Sequence, residues 1–211
     1  ISEKDKVIFL SNHIKITKDL FPKIYASIEL AFNNLKINKS DKYNFYIKSS
    51  ADINASCMVS PRTDKVDIII HSRMIEILDK FELASVIGHE LAHYFYSHYL
   101  YPAPKVAKNE IGFVNKLHLQ KAAEISADRV GLIASGQLDF SLRSMFKTVS
   151  GLPKEFIEFN FNKLLEQLDD LKQIKNNYSQ LYSSHPSILN RIEALMLFSQ
   201  SDIYTKNFLK K

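Results

Sequence analysis

Between residues 82 and 97 apolar side chains fall on almost every side of a helix: Leu83, Val86, Ile87, Leu91, Ala92 and Phe95 leave little surface for water. Such a helix is stable only when other elements bury it, so the chain must build its core around this segment. The same segment carries His89, Glu90 and His93. Ionisable groups in a buried helix are costly to desolvate unless something pairs with them.

The rest of the chain can supply the burial. With 211 residues, 45% of them hydrophobic and 24% charged, it has the apolar mass of one cooperative unit, which excludes intrinsic disorder. Three-and-four spacing predicts an amphipathic helix over 17–37, and alternation predicts strands over 43–48, 54–60 and 65–70. Ser60-Pro61-Arg62-Thr63-Asp64 reads as the turn of an antiparallel hairpin between the last two. A short helix opens at Ser72 and the motif helix follows. Helical spacing returns over 113–136, with Gly136 as the stop, over 161–171 and over 188–195. The expectation is α+β: one predominantly helical domain over 1–211, its core at about 43–200, with a small antiparallel hairpin or sheet beside the motif helix.

Several function classes drop out. No G-x-x-x-x-G-K or G-x-G-x-x-G occurs, so no phosphate-cradling loop is expected. The net charge of +5 comes from scattered lysines without an Arg-rich stripe, a solvated basic surface rather than a nucleic-acid site. No apolar run reaches the roughly 18–20 residues that span a bilayer. The single cysteine, Cys57, forms no internal disulfide. It favours a cytoplasmic setting, with a periplasmic or membrane-peripheral one open to a chain whose targeting segment has been removed.

His89-Glu90-Leu91-Ala92-His93 is H-E-x-x-H on a helix, where residues four apart sit one turn up on the same face. Both imidazoles can reach one Zn²⁺, and Glu90, about 100° round the helix, sits where a general base would hold a water. A catalytic zinc takes three protein ligands. On a continuous helix His98 is half a turn out of phase and points away from the ion. Tyr96 and Tyr99 occupy the Gly and His positions of the extended metzincin motif, which excludes that class. Glu124 and Asp128 lie four apart on the next helix, and Glu124 is the better third ligand, with Asp128 placed to steer a partner. Two acids at that spacing also make an ordinary solvated helix face.

Together with the late Ser184-His185-Pro186 and Arg191-Ile192, the His89-Glu90-x-x-His93 and Glu124-x-x-Ala127-Asp128-Arg129 motifs resemble the gluzincin endopeptidases of the HtpX and CAAX prenyl protease family. The likeness extends upstream to Asn54-Ala55 before the hairpin. It implies a zincin-type metalloprotease with one Zn²⁺ per chain held by His89, His93 and Glu124, and Glu90 as general base. It implies Asp128 as a supporting acid paired with Arg191, and His185 as an oxyanion donor or transient ligand. The strand carrying Ala55, Ser56, Cys57 and Met58 would be the edge along which an extended or unfolded polypeptide lies; Cys57 itself reads as a packing residue. Membrane members of the family carry spanning helices, whereas 101–118 here is polar and too short, so the resemblance is to the soluble branch. Cleavage of prenylated or membrane-embedded substrates does not carry over.

The function expected is peptide-bond hydrolysis through a metal-activated water. Two other classes fit parts of the sequence. One is a zinc-retaining but non-catalytic or latent protein-binding module, against which Glu90 speaks, since a structural site needs no base. The other is a helical interaction protein with a fortuitous motif, which predicts that chelators leave folding unchanged.

Overall fold

A reciprocal cap starts the motif helix. Asp79 accepts hydrogen bonds from the N–H groups of Phe81 and Glu82, while the Glu82 carboxylate accepts from the Asp79 N–H. Donors that the first turn would leave open are thereby satisfied. The computed structural model describes residues 3–60, 64–101, 110–173 and 186–209. In chain order its elements are α1 (Glu3–Asn12), β1 (His13–Lys15), α2 (Pro22–Leu35), β2 (Tyr43–Lys48), β3 (Ala55–Val59), β4 (Val66–His71), α3 (Ser72–Ile77) and α4 (Lys80–Phe95). After a 3₁₀ turn (His98–Leu100) come α5 (Glu110–Ser135), α6 (Leu138–Ser150), α7 (Phe161–Gln173), α8 (Ile188–Gln200) and α9 (Asp202–Asn207).

The predicted hairpin is present: β3 pairs antiparallel with β4, from Ala55 opposite Ile70 to Val59 opposite Val66. The sheet is larger than that hairpin and mixed. Its order is β1-β2-β4-β3, with β2 parallel to β4 and β1 antiparallel to β2. Alternation predicts strands but not partners, and this pairing joins segments that are not neighbours in the chain. Central β4 buries Val66, Ile68, Ile69, Ile70 and His71, which is why it reads as a β-branched run without a polar face. On the outer flank β3 has β4 on one side and no described strand on the other.

Helix α4 packs against the sheet, α2, α5 and α6, as its nearly all-round apolar surface requires. The principal core joins Ile28, Ala31 and Phe32 of α2, Val66, Ile68 and Ile70 of β4, and Leu83, Ile87 and Leu91 of α4. A smaller core gathers Leu132 of α5, Leu142 and Met145 of α6, Ile192 and Leu195 of α8, and Tyr204 of α9. Helix α5 touches both, because Ala134 belongs to the first and Leu132 to the second.

Two boundaries differ from expectation for clear reasons. The N-terminal helix begins at Pro22 rather than residue 17, with proline in the first turn, where its missing N–H costs nothing. The motif helix ends at Phe95, before Ser97, which takes a left-handed backbone conformation (φ 54°). No described helix is long and apolar enough to cross a membrane.

Candidate metal centre

The site forms where α4 and α5 cross, and small residues let them cross closely. A Cβ on Gly88 would lie 2.3 Å from the Ala134 Cβ, and one on Gly131 would lie 2.8 Å from the Ser85 carbonyl oxygen. Contact therefore occurs one residue before His89. It brings the His89 and His93 face of α4 opposite Glu124 and Asp128 on α5.

The three expected ligands converge. His89 Nε2 and His93 Nε2 are 3.1 Å apart. Glu124 Oε2 lies 3.6 Å from the first, and Oε1 lies 3.7 Å from the second. Donors bound tetrahedrally at zinc distances stand about 3.3 Å apart, so this set fits the ion. Among the described residues, His89, His93 and Glu124 form the group that could hold a metal.

A buried network aims His89. Its Nδ1 is 3.0 Å from Asp128 Oδ1, and Asp128 is gripped by Arg191 of α8 through Nε to Oδ2 at 2.8 Å and Nη2 to Oδ1 at 2.6 Å. The expected pairing of Asp128 with Arg191 is thus present in the structure. Burial alone would raise the Asp128 carboxyl, but the hydrogen bonds from Arg191 and His89 hold it below the usual carboxylate range. An ionised Asp128 only accepts, so His89 donates from Nδ1 and turns Nε2 toward the other donors, and against the effect of burial this contact raises the proton affinity of His89. Burial, reinforced by the charge of His89, lowers the His93 pKa to about 4, so this imidazole stays neutral at working pH.

Glu90 lines the same cleft but stands outside the converging trio. It is 8% exposed, and burial pushes its carboxyl above the ordinary range despite the opposing charge of His89. The Cys57 main chain holds it with a hydrogen bond. The cleft encloses about 470 Å³. Ala55, Ser56 and Cys57 form one wall, and Met74, Val86 and Met145 add apolar surface. Met58 is 44% exposed and not part of that lining. Burial, with Glu90 and Asp67 nearby, lifts the Cys57 thiol to about 12, so it remains protonated. His185 lies outside the described residues.

His98 stays outside the converging trio, as expected, but it does not turn away from His93 as a continuous helix would require. The expectation assumed helix through position 97, but the left-handed Ser97 turns the chain back. His98 Nδ1 consequently lies 3.0 Å from His93 Nδ1, on the side of that ring away from the converging donors. Its Nε2 lies 3.3 Å from Ser126 Oγ on α5. Serine without glycine or proline gives little warning of such a turn in the sequence.

The family model for peptidase family M48 matches residues 20–111 and 109–197. No curated protein sequence matches the chain. Among solved structures it is similar to the crystal structure of S. mikatae Ste24p, with a TM-score of 0.51 and 15% identity over 90% of this chain. The match covers 52% of that structure, so this chain spans about half its length, and at this identity the likeness is one of fold.

Proposed function

The chain belongs to peptidase family M48, a family of zinc metallopeptidases, and from that premise we propose that it is an endopeptidase cleaving extended polypeptides in the cleft between β3 and α4. The observation that carries this reading is the convergence of two imidazole nitrogens 3.1 Å apart on the Glu124 carboxylate, with Glu90 beside them. His89, His93 and Glu124 hold one Zn²⁺. When bound, the ion supplies Lewis acidity, polarising the scissile carbonyl and acidifying a water.

The remaining work falls to the chain's own groups. Glu90 takes a proton from the attacking water and delivers it to the leaving amine. Its raised proton affinity suits the first half of that task, since a carboxylate of ordinary strength would take the water's proton less readily. The Cys57 N–H orients Glu90, and this links the base to the strand beside which substrate would lie. Substrate binds as an added strand on the open edge of β3, through main-chain hydrogen bonds that impose little sequence preference. Arg191 keeps Asp128 ionised, and Asp128 holds the His89 ring in its ligating tautomer. We assign His185 as the oxyanion donor on the strength of the family resemblance.

Glu90→Gln tests the proposal. It leaves the three ligands in place, so zinc content stays near that of the parent while cleavage of an unfolded polypeptide falls by about 10²- to 10⁴-fold. His93→Ala, handled identically, should lose the zinc. Unimpaired cleavage by Glu90→Gln would sink the assignment of the base. Zinc retention without cleavage in the parent would favour a non-catalytic binding module.

A further inference from the structure

We propose that His98 is a positioning residue for the metal centre, acting with Ser126 to aim the ligating electron pair of His93. This rests on the zinc site proposed above.

A main-chain acceptor sets the direction of each hydrogen bond in turn. Ser126 Oγ is 2.8 Å from the Ala123 carbonyl oxygen, which can only accept, so the hydroxyl proton points there. Ser126 Oγ is then left to accept from His98 Nε2–H at the longer distance of 3.3 Å. With its proton on Nε2, His98 presents a bare Nδ1. His93 Nδ1, 3.0 Å away, must therefore donate. A neutral His93 with its proton on Nδ1 carries its electron pair on Nε2, the atom 3.1 Å from His89 Nε2. The opposite arrangement would put the His93 proton on Nε2 and point it at the other donors. It would also require the serine proton to leave the nearer carbonyl for the farther imidazole.

Both imidazoles are thus aimed from behind by α5, His89 through Asp128 and His93 through Ser126 and His98. A five-residue stretch of that helix, 124–128, supplies the carboxylate ligand and both supports. The left-handed Ser97 is what folds His98 back to close the link. Loss of such a support costs a metal site about 10- to 100-fold in affinity.

The test measures the zinc dissociation constant by competition with a chromophoric chelator for the parent, His98→Phe, His98→Asn and Ser126→Ala, with circular dichroism as the check on folding. His98→Phe keeps a ring but has no acceptor, and should weaken zinc by about 10- to 100-fold. His98→Asn places a carbonyl oxygen where Nδ1 stood and should recover most of that loss, which a purely structural role for the ring would not allow. Cobalt(II) substitution adds a spectroscopic reading: the visible bands should shift in His98→Phe and return in His98→Asn. If His98→Phe does not fold, Ser126→Ala carries the test through a smaller loss of affinity in an intact ring cluster. Parent-like affinity in a folded His98→Phe, or in Ser126→Ala should that variant alone fold, overturns the positioning role while leaving the zinc reading standing. So does equal weakness in His98→Asn and His98→Phe. Absence of zinc binding in the parent overturns both.

Discussion

Two buried ionic groups brace this protein, and they end differently. Lys147 of α6 reaches Glu82 Oε2 at 2.6 Å and the Ile77 carbonyl at 3.1 Å, and Glu82 in turn accepts from the Asp79 N–H. The two side chains are 2% and 1% exposed, and each charge is answered inside the cluster. Arg191 of α8 is held as firmly on Asp128, but there the network continues through His89 to a nitrogen facing another nitrogen across 3.1 Å. The first group closes on itself, whereas the second ends at the paired His89 and His93 nitrogens on the wall of a cleft. Buried charge is common to both, so burial by itself does not mark chemistry. The end that opens onto a cleft does.

Lys147→Met presses hardest on that distinction. It strands Glu82 as a buried carboxylate, and removing one partner of such a pair costs about 3–5 kcal/mol. Urea unfolding of the metal-free protein should show that loss while zinc affinity in the folded protein stays near the parent value. Zinc affinity falling in step with stability would mean that the two regions are one mechanical unit.

Gly88→Ala acts on the crossing that joins the regions. Its new methyl would meet the Ala134 Cβ at 2.3 Å, and overpacking of this kind costs about 1–3 kcal/mol. Because the strain separates the helices bearing His89 and Glu124, stability and zinc affinity should fall together. A loss of stability alone would show that the crossing does not set the donor spacing.

Asp128→Asn keeps the shape of the second network but removes its charge, and should weaken zinc by about 10- to 100-fold in a chelator competition. The smallest effect lies in acid. Despite burial, hydrogen bonds from Arg191 and His89 hold the folded Asp128 carboxyl below 3.8. A folded pKa below the unfolded one adds stability that is present above the unfolded value and is lost as pH falls through the folded one. In metal-free protein the parent should therefore lose urea resistance below pH 3.8 more steeply than Asp128→Asn, and parallel curves would remove Asp128 from the acid response.

The same contrast explains what was legible in the sequence. The cleft-side elements were readable because their patterns are local: β4 is a β-branched run, α4 is apolar all round, and His89, His93, Glu124 and Asp128 sit at one-turn spacing. Helix α6 was not, because its buried face carries Ser141, Ser144 and Lys147, polar residues that break the apolar period and are satisfied only by partners on other elements. Helix α1 escaped for the opposite reason. Val7, Ile8 and Leu10 are all exposed, so it has no apolar stripe to read. Strand β1, three residues long, is too short for alternation to show.

By itself the sequence determined the candidate donors, their helical spacing and the burial of the helix that presents them, since periodicity acts within a few residues along the chain. Tertiary structure alone decided which partner each imidazole nitrogen meets, because Asp128, His98 and Ser126 come from other segments and Arg191 holds Asp128 in place. It also decided the parallel pairing of β2 with β4 and the closeness of α4 to α5 at Gly88. Hydrogen-bond direction and steric approach depend on atoms meeting in space, and that meeting is settled only when the core closes.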